Sequence, residues 1–188
     1  MVSTGRLHGF ESLEEQRLLL VLDFLQVAQV LSQPFRLDFE HSGGRAAHTP
    51  DFLAIWPDGG RWLLDVRPRR LIGEEDAMKF AAAEEAAAVC GWRYTVVTGW
   101  RSHVFGVLDA LSAQRRPLED QLAVQEELLR AVEHEPLPFG EASAATSWPV
   151  VARAHALHLL WHRRLAVDLG EPLGDTSLVW PGAGGRQR

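Results

Sequence analysis

Apolar positions along the first hundred residues recur with two different periods. In residues 12–24 (SLEEQRLLLVLDF), Leu18, Leu19 and Leu22, with Leu25 just beyond, fall at helical intervals, and Ser12 stands three residues before Glu15, the spacing of a capping box. This pattern predicts a helix over about residues 13–30. Gln33-Pro34 should end it, because a proline pushes its predecessor toward extended geometry. Residues 35–39 (FRLDF) alternate apolar and polar, the period of a half-buried strand. Residues 41–47, rich in Gly, Ser and His, read as a loop. Residues 51–56 and 61–67 are aliphatic and aromatic runs, and Pro57-Asp58-Gly59-Gly60 between them has the composition of a hairpin turn. Pro68 stops the second arm. Residues 74–89, alanine-rich with acids in the first turn, predict a second helix that Gly91 can cap, and residues 94–98 (YTVVT) a further strand. The expected order is helix, three strands, helix, strand, an α/β arrangement over about residues 1–100.

Beyond Gly99 the pattern changes. Residues 118–132 form an amphipathic helical stretch, which Pro136, Pro138 and Gly140 separate from a short Ala/Ser segment. Residues 150–165 read as another helix. Residues 166–169 and 176–180 are short strand candidates around Gly170-Glu171-Pro172 and Gly174-Asp175. Helix, short helix, helix, hairpin is a winged-helix pattern, expected for residues 101–180. Residues 181–188 are expected to be a disordered tail.

Composition narrows the function classes. The 188 residues are 46% hydrophobic and 23% charged, enough apolar material for a packed core and against wholesale disorder. A net charge of -6 excludes a small DNA-coating protein of the strongly basic kind. A single cysteine, Cys90, excludes a disulfide framework and a multi-cysteine zinc site. No apolar run approaches the ~20 residues of a membrane span, and residues 1–8 lack the apolar core of a secretory signal. The expected location is the cytoplasm, with no membrane partner. Lys79 is the only lysine, so arginine supplies the other eighteen of nineteen basic residues, the usage of a GC-rich bacterial coding sequence.

The chemistry concentrates in His48-Thr49-Pro50-Asp51, then thirteen residues, then Asp65-Val66-Arg67. On a hairpin turning near Gly59, Asp51 begins one arm and Asp65 lies near the end of the other. Directly opposed residues of an antiparallel pair are ~4.5–5.5 Å apart. Two carboxylates so placed suit a hard, oxygen-preferring cation such as Mg²⁺. Arg67, two residues past Asp65, belongs on the same face. Acids, a metal and a fixed cation on one face suit phosphodiester hydrolysis.

These residues carry a resemblance. Pro50-Asp51 with Asp65-Val66-Arg67, in this element order, resembles the PD-(D/E)xK nucleases of the restriction-endonuclease type and, more narrowly, the TnsA-like transposase endonuclease subunit. The further pieces are Glu11-Ser12-Leu13-Glu14-Glu15, Gln33-Pro34-Phe35, His48-Thr49-Pro50-Asp51-Phe52, Asp65-Val66-Arg67-Pro68 and Gly91-Trp92-Arg93-Tyr94. Toward the C-terminus, His158-Leu159-Leu160-Trp161, Asp168-Leu169 and Pro172-Leu173 extend it over residues 11–179. The resemblance implies a restriction-endonuclease-like core with a small C-terminal helical or winged-helix domain. It implies a first-helix glutamate at Glu15, metal aspartates at Asp51 and Asp65, a backbone carbonyl ligand from Val66 and a basic catalytic residue at Arg67. The cofactor would be Mg²⁺ or Mn²⁺. The partners would be double-stranded DNA at transposon ends, an integrase-like transposase subunit and an AAA ATPase regulator, and hydrolysis would leave 3′-hydroxyl and 5′-phosphate ends.

Arg67 departs from the family's lysine: it keeps the charge but cannot act as a base. Lys79, about six residues or ~9 Å into the second helix, is a candidate replacement. Simpler readings stand beside these: Glu15 as a capping residue only, Asp51 as a turn acid after Pro50, Asp65 or Arg67 in a structural ion pair, Lys79 on a solvated helix face. His48 either orients the site, touches phosphate or is a loop histidine with no role. Residues 145–167 contain Arg153, Arg163 and Arg164 and no acid, and His155, His158 and His162 form one helical stripe, a core edge or a DNA-facing surface. Two other functions remain open: a nuclease-fold subunit that has lost activity and serves DNA binding or assembly, and a stand-alone nuclease of restriction or repair type.

Overall fold

The structure, a computed structural model, describes residues 1–183. The chain divides into two compact units, Met1–Gly99 and the residues from Trp100 onward. Among the described residues no helix is long and apolar enough to cross a membrane.

The first unit opens with α1 (Leu13–Phe24), whose N-cap Ser12 accepts the Glu15 N–H through its hydroxyl at 3.2 Å. The helix stops well short of residue 30. Gln26 takes a left-handed backbone conformation (φ 57°), its N–H returns to the Asp23 carbonyl, and Val27 N–H returns to Leu22. This pair of reversed bonds is the usual glycine-type helix ending, here built on a glutamine, so no glycine announces it. The chain emerges as β1 (Gln29–Ser32). Residues 35–39 therefore do not supply the first strand of the main sheet. Instead β2 (Leu37–His41) pairs antiparallel with β3 (Gly44–His48) as a separate ribbon, and the expected loop over 41–47 is largely strand. Then follow β4 (Phe52–Ile55), β5 (Arg61–Val66), a 3₁₀ turn at Arg69–Leu71, α2 (Glu74–Val89) and β6 (Arg93–Val97). The turn between β4 and β5 is the one expected: Gly59 has φ 84°, and Gly60 N–H donates to Asp58 Oδ1 at 2.8 Å.

The main sheet has the order β1-β4-β5-β6, antiparallel except for the parallel β5–β6 pair. It is an α/β unit with a mixed sheet flanked by helices. Leu53 and Leu63 lie opposite each other on one face and pack under Ala83 and Ala87 of α2, with Phe35, Trp92 and Tyr94 closing the cluster. On the other face Phe52, Ala54 and Leu64 are buried as well, and α1, carrying buried Leu18, Leu19 and Leu22, packs on β5. Burial on both faces explains why these strands read as continuous apolar runs. Phe52 pairs with Leu64, so one further step of the same register sets Asp51 across from Asp65, on the face α2 covers.

The second unit comprises α3 (Ser102–Ser112), α4 (Val124–Ala131), β7 (Leu137–Pro138), α5 (Phe139–Ala144), α6 (Pro149–Trp161), β8 (Leu165–Val167) and β9 (Leu178–Pro181). Its sheet order is β7-β9-β8, all antiparallel. The pattern reading missed α3. It also began α4 too early: Asp120 accepts the Val124 and Gln125 N–H groups, both at 2.8 Å, and this side-chain cap sets the start. Helix α6 ends before residue 165 because Arg163 takes φ 56°, with its N–H on Leu160 and Arg164 N–H on Leu159. Pro181 belongs to β9 opposite Leu165, and Gly182 N–H bonds the Arg164 carbonyl at 2.9 Å, so the expected tail does not begin at 181. Residues 184–188 lie outside the described residues.

The same left-handed ending closes α2 with a glycine. Gly91 has φ +68°, its N–H bonds Ala88 and Trp92 N–H bonds Ala87. A Cβ at Gly91 would meet nothing within 4 Å, so the cost of adding one is conformational alone. Gly91→Ala is expected to lower stability by roughly 1 kcal/mol. Urea unfolding checks this, and an unchanged midpoint would contradict it.

Candidate active site

At the open end of the β4–β5 hairpin the backbone brings Asp51 and Asp65 face to face, and donors from β3, from β6 and from the backbone of β5 itself hold them. Asp51 is half-buried, and its Oδ2 accepts the Val66 N–H at 2.7 Å. Asp65 is 1% exposed. His48 Nε2 lies 3.0 Å from each of its carboxylate oxygens, and the Tyr94 hydroxyl donates to Oδ2 at 2.6 Å. His48 is the last residue of β3, delivered by the ribbon, with Phe80 of α2 edge-on to its ring at 6.2 Å. Tyr94 sits on β6 in register with Leu63, so it shares the face of Asp65.

Burial and like charge act against the ionised form of this group. The Asp51 carboxyl is pushed up to about 6. Burial is the main cause; the Val66 N–H opposes it, the negative charges of Asp65 and Glu15 add to it, and His48 works against it. Burial and the hydrogen bond to Asp65 hold the Tyr94 hydroxyl far above its ordinary range, so it stays protonated as a donor.

Glu15 thus acts on Asp51 through its charge, while its own oxygens are turned elsewhere. Oε1 accepts the Ser12 hydroxyl at 2.7 Å and Oε2 the Glu11 N–H at 2.9 Å, the arrangement of a helix cap. The two expected cations are not on the aspartates. Arg67 reaches Asp76 Oδ2 at 3.4 Å, and Lys79 Nζ lies 2.5 Å from Glu75 Oε1. Both belong to the acidic first turn of α2, Glu74, Glu75 and Asp76. Asp76 also accepts the Gly73 N–H, and this bond, then Arg67, holds its carboxyl below the ordinary range. Val66 takes part through its N–H.

The basic stretch of the second unit is tied up internally. Arg153 pairs with Asp175, and its guanidinium lies 5.0 Å over the Phe139 ring. Arg164 donates to Gln125 Oε1 at 3.3 Å, and Arg163 terminates α6. His155 is buried against Gln125, His158 Nδ1 is 2.8 Å from the Gln114 carbonyl oxygen, and the His158 and His162 rings are 4.3 Å apart. The histidine stripe is a core edge.

Among the described residues no three His, Cys, Asp or Glu side chains form a ready metal cage. Mg²⁺ does not demand one: it keeps several waters and takes one or two carboxylates. The oxygen donors of Asp51 and Asp65 fit such an ion, and Asp51 Oδ1 has no hydrogen-bond partner among the described residues. Tyr94 is the residue at this site to which the sequence reading gave no role, noting it only in a strand and in the Gly91-Trp92-Arg93-Tyr94 piece of the resemblance. The signal was present: an acid inside an apolar strand needs a buried donor, and the chain's one tyrosine lies on a neighbouring strand. The chain matches no protein-family model, and no curated protein matches it.

The Asp51 shift carries a stability consequence. Its folded value, about 6, lies above the ordinary 3.8, so the folded state holds this proton more tightly than the unfolded one. The resulting stabilisation is complete below about pH 4 and is lost as pH rises through about 6. With divalent cations chelated, Asp51→Asn should therefore be more stable than wild type near pH 7.5, on the order of 1 kcal/mol after solvent screening. The gap should close near pH 4. Urea unfolding across that range checks it, and a less stable variant near pH 7.5 would overturn this account of the charge cluster.

Proposed function

We propose that this chain is a metal-dependent DNA endonuclease subunit of the TnsA-like kind, hydrolysing phosphodiester bonds at transposon ends. The observation that carries the proposal is the opposition of Asp51 and Asp65 across the β4–β5 hairpin, where burial first, and then the charges of Asp65 and Glu15, lift the Asp51 carboxyl to about 6. The order α1, β1, β4, β5, α2, β6 around them supports it, being the order of a restriction-endonuclease-like core with the β2–β3 ribbon inserted. In the second unit, the order α4, β7, α5, α6, β8 and β9 with sheet order β7-β9-β8 supports a winged-helix reading, which suits contact with DNA or a partner protein. The net charge of -6 favours a subunit brought to DNA by partners, an integrase-like transposase and an AAA ATPase regulator, over a free nuclease of high DNA affinity.

Asp51, Asp65 and the Val66 carbonyl are the groups that would hold Mg²⁺ or Mn²⁺. Such an ion, when bound, supplies an activated water and neutralises phosphate charge. The chain's own work is to bury and orient the two carboxylates and to present a fixed positive charge to the phosphate. Arg67 can do the latter only by leaving Asp76, and as an arginine it contributes charge without basicity. The same ion pair favours a second reading. With Arg67 on Asp76 and Lys79 on Glu75, neither cation faces the carboxylates, as expected of a nuclease-fold subunit kept for assembly or DNA binding.

The deciding experiment is Mg²⁺- or Mn²⁺-dependent cleavage of a transposon-end duplex, with and without partner proteins. Wild type should cut, and Asp65→Ala should not. Arg67→Ala should lose on the order of 10²–10³ in rate while Arg67→Lys retains activity. Loss on Lys79→Ala alone would move the cation's role to α2. An inert wild type beside an active Arg67→Lys would establish the assembly reading, and cutting without partners would point to a stand-alone nuclease.

A further inference from the structure

The Asp65 carboxylate is gripped by two side chains from elements remote in sequence, and the grip has a definite geometry. A carboxylate offers about four lone-pair directions on its two oxygens. Tyr94 takes one on Oδ2, and His48 Nε2, at 3.0 Å from both oxygens, takes the space between them. One direction remains, on Oδ1. Across the hairpin Asp51 is treated alike: Val66 N–H fixes Oδ2 and leaves Oδ1 without a partner. Each acid is thus oriented by donors of the fold and keeps acceptor capacity on one oxygen.

We propose that Tyr94 and His48 are positioning residues for Asp65, which fix its carboxylate so that its remaining acceptor direction serves a divalent cation. This rests on the reading of Asp51 and Asp65 as cation ligands. A buried carboxylate without donors would rotate or give up its charge, and either change weakens its hold on a cation. The inference also accounts for the β2–β3 ribbon, which stands outside the main sheet and ends on His48. Phe80 of α2, edge-on to the imidazole, restrains its ring. Donors in such supporting shells typically change metal affinity 10–100-fold when removed.

Tyr94 is the only tyrosine in the sequence, so ¹³Cζ-tyrosine labelling gives a single NMR signal from the full-length chain. At constant pH that signal should shift saturably on adding Mg²⁺, because a cation drawing on Asp65 weakens the tyrosine's hydrogen bond. In Asp51→Asn the shift should disappear at the same concentrations. Calorimetric titration with Mn²⁺ should show binding weakened at least about tenfold in Tyr94→Phe and His48→Ala. His48→Gln, which keeps a donor, should recover most of the affinity. Urea unfolding of each variant separates affinity from stability. Mn²⁺ binding as tight in Tyr94→Phe and His48→Ala as in wild type overturns the proposal, as does a tyrosine signal unmoved while the wild type is saturated with Mg²⁺. If a variant fails to fold, the wild-type NMR titration decides alone. Tight cation binding with these dependences but no DNA cleavage would remove the nuclease reading and leave this inference standing, whereas cleavage with unaltered affinity in the variants would do the reverse.

Discussion

A carboxylate removed from water on the β5 strand must be given hydrogen-bond donors, or it loses its charge and the strand loses its place. Meeting that requirement at Asp65 binds the first unit together. Tyr94 comes from β6 through the parallel pair, and His48 arrives from β3 at the end of the ribbon. The opposing Asp51 is held by the backbone of β5 itself through Val66. Three segments that periodicity places separately are thereby committed to one point. The apolar cluster of Leu53, Leu63, Ala83 and Ala87 lies on the same face and seats α2 over the sheet. The alanines matter here, since small side chains let the helix lie close to the strands.

Charge in the first unit is sorted into two groups. Asp51, Asp65 and Glu15 form a negative cluster relieved by His48 and by backbone and hydroxyl donors. The two candidate cations, Arg67 and Lys79, are instead drawn to the first turn of α2. Acids there already favour the helix N-terminus, where they offset its exposed N–H groups, and Asp76 does this directly at Gly73. One acidic turn therefore caps a helix and holds the positive charge that a phosphate-directed site would use. Under the proposed function, the partner that Arg67 takes when DNA is present separates the enzyme reading from the assembly reading.

Helix endings show how local sequence can hide structure. Helices α1, α2 and α6 all close with a residue in the left-handed conformation and the same reversed hydrogen bonds. At α2 the residue is Gly91 and the ending was legible in advance. At α1 and α6 it is Gln26 and Arg163, residues with no preference for that conformation, and both helices were read as too long. The buried Val27 just past Gln26 indicates what holds the strained residue at α1: the chain must turn there to seat Val27 and to start β1. Reading α1 too far displaced the first strand of the sheet and concealed the ribbon.

What the sequence determined by itself was what adjacent residues encode. The capping box at Ser12 and Glu15, the Asp58-Gly59 turn, the span of α2 and the opposition of Asp51 to Asp65 each follow from spacing within one segment. The tertiary structure alone decided the partners of charge: Tyr94 and His48 on Asp65, Asp76 on Arg67, Asp175 on Arg153. Arg153 shows the reason. Its own stretch contains no acid, so it reads as free positive charge until the fold brings in an aspartate twenty-two residues away. Periodicity records which residues share a face of an element. A buried or paired charge is satisfied by whatever the packing of separate elements places within about 3 Å, and no local pattern carries that information.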